Sequence, residues 1–456
     1  MLSLDNRLKG DTMYIRPSMK KFDGSPSWDI EMCNANSKPL PMFLNRQYIK
    51  ILEDLGVSAD VFLRLQRQRV KELRMMTTSH VNASKFLEFH HIGIAAHLPY
   101  LIKLLGYIGV PLQADDFLQG VVEVAALSQL REIKYRGRIL LDNGITLFGI
   151  MDETGYLKEG EIYCVFERAT GGKKVLIRDR VAITRPPALH PGDIQWVRAV
   201  NVPKDSPLSA LNNCICFSRH GRRDLPSQLS GGDLDGDHYN VIWDPDLLPK
   251  IVYSAADYPR VRPIDIGRPI TCDDMTDFFV TFMETDQLGR ISNLHMQLAD
   301  RYPEGVVHKD CIKLAELAST AVDFSKTGIP VDIREIPRND GIKPDFMAPG
   351  PRVRISESIS ILEKEIFDDG KKDTVDELIG NLKRGGYYES QKVLGVLFRD
   401  IDERAFLAGI HRHARAEKSS GNKRNVMERV FEYVKAQAAV FQWEHYRPFA
   451  RRYRAA

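Results

Sequence analysis

From Pro41 to about Glu132 apolar residues recur at three- and four-residue steps, the spacing of a helix face. In Asp60–Met76 this places Phe62, Leu65, Leu73 and Met76 on one side. Arg64, Arg67, Lys71 and Arg74 recur on the same helix as a basic stripe. Ala95–Gly106 and Phe117–Arg131 are the clearest helical segments after it. Before Pro41 the chain reads as extended structure with turns at Pro17, Gly24 and Pro26.

From Tyr135 to Asp244 the period changes to two. Short β-rich runs occur at Ile139–Leu141, Ile145–Phe148, Ile162–Phe166, Val175–Ile177, Val181–Thr184, Trp196–Val202, Cys214–Phe217 and Tyr239–Trp243. The first two flank Asp142–Asn143–Gly144, and Asn-Gly predicts a tight hairpin because both residues tolerate positive φ. Short strands without interleaved helices predict a small closed barrel rather than an open parallel sheet. Helical patterns return in Met275–Met283, Asn293–Asp300 and His308–Val322. Asn339–Arg352 is a Pro/Gly-rich linker, and Glu357–Arg454 reads as helices with a basic break at His411–Arg424. The fold class is therefore α+β.

The chain's 456 residues are enough for about three domains at ~150 residues each. Composition is globular, with 43% hydrophobic and 27% charged residues, which excludes wholesale disorder. A net charge of +3 is too small to imply a polyanionic partner by itself. Six cysteines without C-x-x-C spacing predict reduced core thiols in an intracellular protein. Met1–Gly10 mixes polar and apolar residues, unlike a signal peptide, and Phe86–Leu112 is broken by His90, His91, His97 and Lys103. No membrane role is expected.

The chemistry concentrates in Gly231–Gly232–Asp233–Leu234–Asp235–Gly236–Asp237. Carboxylates at every second residue share one side of an extended backbone, and Gly236 lets the loop curl so that their oxygens converge. Like charges this close repel by several kcal/mol at an effective dielectric of ~20, so either a divalent cation or protonation is expected. Hard oxygen donors without His or Cys favour Mg²⁺, with Mn²⁺ an alternative, over zinc. An EF-hand also spaces acids this way, but it needs Gly at its sixth position and Glu at its twelfth. His238 and Asp244 stand there, followed by a strand rather than a helix. Such a loop at a barrel mouth suits phosphoryl or nucleotidyl transfer. Arg219, Arg222 and Arg223 lie just upstream, where they could neutralise phosphates or form a solvated surface. Arg185, in a Pro-Pro loop between strands, is a further candidate for substrate contact. Lys326 could meet phosphate, though nothing local singles it out. His190, His238 and His295 read as structural histidines rather than general bases. No G-x-S-x-G, H-E-x-x-H, P-loop or G-x-G-x-x-G occurs.

The run from Gly231 to Tyr239 resembles the D-L-D-G-D signature of the cellular, RNA-silencing type of RNA-dependent RNA polymerase. Ile15–Phe22, Leu44–Gln47, Arg185–Asp193, Ile291–His295 and Ala321–Gly328 are similar to other blocks of that family, in the same order. The resemblance covers residues 1 to about 350 and implies two double-psi β-barrels. It implies that the second carries Asp233, Asp235 and Asp237 as Mg²⁺ ligands. Lys21 matches a basic position of the first barrel and would approach nucleotide or transcript phosphates. The helices near Gly289–Asp300 would lie where such enzymes place a bridging helix.

Family members usually carry a long segment before the R-P-S block, including most of the first barrel, so a first barrel incomplete in this chain is expected. The corresponding division is 1–40 as a remnant of the first barrel, 41–134 as a helical connector, 135–250 as the catalytic barrel, 251–350 as a helical flank and 351–456 as a helical C-terminal region. The implied partners are an RNA template, nascent RNA, nucleoside triphosphates and proteins of a silencing complex. The implied role is conversion of RNA to double-stranded RNA that feeds small interfering RNAs, in nucleus or cytoplasm. A truncated, inactive RNA-binding fragment and a DNA-templated enzyme are the alternatives.

Overall fold

The computed structural model describes residues 2–3, 5–20, 27, 29–32, 35–112, 116–168, 171–258, 262–350, 386–410 and 433–436. Lys21, Cys33 and the basic run 411–424 fall outside them. The chain forms two compact units. The first comprises Met1–Leu63, Gly137–Asp345 and Gly386–Val396; the second comprises Arg64–Arg136, Phe346–Gly385 and Leu397–Ala456.

The first unit is built on a barrel. Strand β1 (Leu40–Phe43) is followed by helix α1 (Arg46–Asp54), then β2 (Leu140–Met151), β3 (Glu161–Glu167), β4 (Lys173–Leu176), β5 (Arg178–Thr184), β6 (Ile194–Ala199), β7 (Cys214–Phe217) and β8 (His238–Ile242). Six of them close in the order β2-β7-β3-β6-β5-β8, with β8 returning to β2. The pairs β2–β7 and β3–β6 are parallel and the other barrel pairs antiparallel, as in a double-psi barrel. The lumen is filled by every second residue: Ile145 and Leu147, Ile215 and Phe217, Tyr239 and Val241. Each fully buried apolar side chain contributes ~1.5–3 kcal/mol. Strands β3 and β7 are buried on both faces, because Tyr163, Val165, Cys214 and Cys216 pack into a second cluster outside the barrel. That explains the unbroken apolar runs of these two strands.

The hairpin expected at Asn143–Gly144 does not form. β2 runs straight through it, with Pro41 of β1 opposite Ile145 on one side and Ile242 of β8 opposite Gly144 on the other. Strand partners on both edges outweigh the local turn preference. Gly144 is tightly packed: a Cβ there would come within 3.1 Å of Leu141 and 3.2 Å of Met42, whose side chains would have to shift slightly.

Helix α1 starts because the Asn45 side chain accepts from the Tyr48 amide at 2.8 Å. Its buried Lys50 ammonium sits between Glu53 at 3.0 Å and Asp54 at 2.6 Å. Tyr48 links the helix to the barrel: its hydroxyl accepts from Asn240, whose side-chain oxygen accepts from Thr146.

The second unit contains α3 (His80–Phe89), α4 (Leu98–Tyr107), α5 (Asp116–Arg136) and most of α2 (Ala59–Met76). Arg67 of the basic stripe pairs with Asp400, and Arg74 stacks over Phe406. A buried Glu403 carboxylate accepts from Arg131 at 2.9 Å and from the Tyr135 hydroxyl at 2.9 Å.

In the first unit, a single helical turn, α6 (Leu225–Gln228), precedes β8, and α7 (Cys272–Thr285), α8 (Leu288–Arg301) and α9 (Lys309–Thr327) follow it. Of the cysteines expected in the core, Cys164, Cys214, Cys216 and Cys311 are buried free thiols. Cys272 is exposed, because it opens α7 directly after the Thr271 cap. No helix among the described residues is long and apolar enough to cross a membrane.

Candidate active site

The acidic loop leaves α6 and enters β8. Its backbone is coiled rather than extended: Ser230 (φ 51), Gly231 (φ 70), Leu234 (φ 61) and Gly236 (φ 139) all lie at positive φ. The expected sharing of one side by an extended backbone is thus replaced by curling, which brings the carboxylates together. Leu234 is half-buried and packs against the barrel core. It anchors the loop and leaves Asp233 and Asp235 facing outward on either side. One carboxylate oxygen from each of Asp233, Asp235 and Asp237 lies within 4.8 Å of the others. An octahedral ion with ~2.1 Å bonds spans ~4.2 Å between opposite oxygens, so small side-chain rotations would complete a site for a hard cation. The donor set fits such an ion.

Gly232 has no room for a side chain. A Cβ would stand 2.5 Å from the Tyr239 hydroxyl and 2.9 Å from both Arg185 Cδ and the Pro226 carbonyl. Arg185 follows β5 and donates to Asp237 at 2.7 Å and to the Ser230 carbonyl at 2.9 Å. The Asp237 carboxylate also accepts from the Asp233 amide at 3.1 Å, which fixes the curl.

Beneath the loop lies Asp193, wholly buried. Its Oδ2 accepts from the amides of Leu189 and His190 at 3.0 and 2.9 Å. Its Oδ1 accepts from the Ser230 amide at 3.2 Å and the Tyr258 hydroxyl at 2.7 Å. One carboxylate thus joins the Arg185–Asp193 segment to the start of the acidic loop. Burial pushes its pKa up to about 6, although these donors favour the charged form.

Within the loop, desolvation acts against both outer carboxylates, and their mutual hydrogen bond separates them. Asp233 lies below the ordinary carboxylate value and Asp235 above it. Lys326, in the last turn of α9, places its ammonium 3.5 Å from Asp233 and 3.5 Å from Asp235.

Comparison with known proteins decides the family. The family model described as RNA dependent RNA polymerase matches residues 1–401. The chain belongs to the RNA-dependent RNA polymerase family. It is 36% identical over 343 residues to the probable RNA-dependent RNA polymerase 1 of Oryza sativa subsp. japonica, covering 74% of this chain and 44% of that protein. RNA-dependent RNA polymerase 1 of Arabidopsis thaliana is 32% identical, with 86% of this chain and 32% of the relative covered. RNA-dependent RNA polymerase 1 of Schizosaccharomyces pombe is 33% identical, with 70% and 28% covered. The chain thus spans less than half the length of these relatives. Among solved structures, the RNA dependent RNA polymerase QDE-1 from Thielavia terrestris superposes with a TM-score of 0.54 at 20% identity, over 77% of this chain and 44% of that one. This likeness supports the double-psi fold.

Of the residues singled out from sequence, Asp233, Asp235, Asp237 and Arg185 come together. Arg223 turns back on its own segment, donating to the Ser227 hydroxyl and carbonyl at 3.2 and 2.7 Å. Arg222 is exposed and, among the described residues, makes no hydrogen bond to the acidic loop. Lys21 lies outside the described residues.

The histidines are structural in their surroundings. His190 Nδ1 accepts from the Gly192 amide, and His238 packs on Phe148 with ring centroids 4.0 Å apart. His295 is buried and held down to about 4 by desolvation. Sequence reasoning missed Asp193 and Tyr258 as supports of the site. It read Lys326 only as a phosphate contact and did not connect it to the acidic loop, although the block Ala321–Gly328 carried the family resemblance.

Proposed function

We propose that this chain carries the catalytic barrel of an RNA-templated RNA polymerase. The observation that supports it most directly is the convergence of Asp233, Asp235 and Asp237 at one rim of a double-psi barrel, in a chain of this family. In this reading the three carboxylates hold Mg²⁺, or Mn²⁺ in its place. When held by these carboxylates, such an ion would lower the pKa of the 3′-hydroxyl of the growing RNA and neutralise charge on the triphosphate. The 3′-oxygen bonds to the α-phosphorus, the α–β bridging bond breaks, pyrophosphate leaves and the hydroxyl proton passes to solvent.

Arg185, which aligns Asp237, also faces the incoming nucleotide, and Lys21, Arg222 and Arg223 serve nucleotide or RNA phosphates. Lines of division at 1–40, 41–134, 135–250, 251–350 and 351–456 go with this reading. The product would be double-stranded RNA for small interfering RNA production inside the cell, with silencing proteins as partners.

The test is incorporation of labelled nucleotide by the purified chain, with Mg²⁺, on single-stranded RNA and on single-stranded DNA, beside its Asp235→Ala variant. Incorporation on RNA that the variant loses is expected. Incorporation on DNA alone would change the template class. Salt-sensitive RNA binding without incorporation by folded protein would leave an RNA-binding module.

A further inference from the structure

The last turn of α9 carries a cation that nothing in the proposed chemistry uses. Lys326 is half exposed, and its ammonium stands 3.5 Å from Asp233 Oδ2, 3.5 Å from Asp235 Oδ2 and 4.0 Å from Asp323. The backbone beneath it is well held. Gly328 ends the helix in the left-handed conformation with its amide bonded to the Phe324 carbonyl. Phe324 is buried between Phe278 and Phe282 of α7, with ring centroids 5.7 and 5.4 Å away. A fixed helix end therefore presents a flexible four-carbon stem to the acidic loop.

The charges show what the stem is for. Asp237 is compensated by Arg185, whose guanidinium is held in place by the Ser230 carbonyl. Among the described residues Asp233 and Asp235 have no such fixed guanidinium partner, and Lys326 bridges them from outside. An ammonium that bridges two carboxylate oxygens competes electrostatically with a divalent ion for the same two side chains. It is also a point charge on a rotatable stem, which can leave without disturbing the fold. Beside it, a cavity of about 90 Å³ is lined by Lys326, Asp323, Ser319, Arg185, Ser230 and Gly231.

We infer that Lys326 is a tethered counter-ion: it neutralises Asp233 and Asp235 before a divalent cation binds, is displaced by that cation, and then pairs with a phosphate of the nucleotide. This inference rests on the metal-binding reading of the acidic loop. It makes Lys326 a competitor of the metal and an ally of the substrate, so its removal must move the two affinities in opposite directions. A residue needed only for structure would weaken both.

The experiment is titration of Mn²⁺, followed by its electron paramagnetic resonance signal, into the chain without RNA or nucleotide. Native protein is compared with Lys326→Met, Lys326→Arg and Asp235→Ala. Lys326→Met should bind Mn²⁺ about tenfold more tightly because a repelling charge within a few ångströms is gone. Lys326→Arg should bind it no more tightly than the native chain. With Mn²⁺ saturating, ATP measured by calorimetry should bind about tenfold more weakly to Lys326→Met.

Unchanged or weaker Mn²⁺ binding by Lys326→Met would overturn the inference, as would unchanged or absent ATP binding. If native protein and Asp235→Ala bind Mn²⁺ equally, the metal reading itself fails, a result separate from the first.

Discussion

At the scale of single residues, the acidic loop depends on a close approach that leaves no space for a side chain at Gly232. A methyl group at Gly232 would meet the Tyr239 hydroxyl, Arg185 and the Pro226 carbonyl together, and Arg185 is the group that holds Asp237 and the Ser230 carbonyl. Gly232→Ala should cost ~1–3 kcal/mol in a urea titration and abolish Mn²⁺ binding. Retained binding would show that the loop does not need this close approach.

Asp193 gives a second residue-level expectation, in pH. Its carboxyl keeps its proton up to about pH 6 in the folded chain, against ~3.9 when unfolded. The folded state therefore binds more protons across that window, and this group's contribution to stability falls as pH rises from ~4 to ~6. The shift corresponds to ~3 kcal/mol. His295 acts in the opposite sense. Held down to about 4, it destabilises the fold as pH falls from ~6.5 towards 4. The two slopes offset each other in the native chain. Asp193→Asn removes one of them, so its stability should rise with pH more steeply than the native chain's between pH ~4 and ~6. Parallel curves in urea titrations at a series of pH values would refute this balance.

At the scale of elements, the sequence was most legible where a single segment supplied the whole signal. Short β-rich runs marked Cys214–Phe217 and Val181–Thr184, and structure places β7 and the end of β5 there. The acidic triad was legible because its three residues are neighbours in sequence. Arg185 reaches Asp237 across 52 positions and Lys326 reaches Asp233 across 93, so no local pattern could join them. Asn143–Gly144 misled for a related reason. A turn preference of two residues is weak beside strand pairing on both edges, and that pairing is set by segments about a hundred residues away. The parallel pairs β2–β7 and β3–β6 were equally invisible, since strand direction has no local signature.

Helix α9 shows how an element carries this long-range information. Phe324 is buried between the two α7 aromatics and sits two residues before Lys326. Phe324→Ala should cost ~3–5 kcal/mol and speed hydrogen exchange in the last turn of α9. If that turn keeps its protection, α7 does not hold it.

At the scale of the whole molecule, the two units divide the work. Among the described residues, the groups that contact or support the acidic loop, Arg185, Asp193, Tyr258 and Lys326, belong to the barrel-bearing unit. The other unit is held by its own buried charge pair. Arg131 and Glu403 are 15% and 10% exposed at their side chains, and Tyr135 donates to the same carboxylate. Burial also presses the Lys134 ammonium below its ordinary value, with Glu403 opposing the shift. Removing one partner leaves Arg131 desolvated without its carboxylate, a change that costs ~3–5 kcal/mol. Glu403→Ala should therefore speed hydrogen exchange throughout α5, while peptides from β8 keep their native protection and Mn²⁺ binds as before. Equal loss of protection in α5 and β8 would mean that the units unfold together. In that case the helical unit would be part of what holds the acidic loop in shape, rather than a separately stable body.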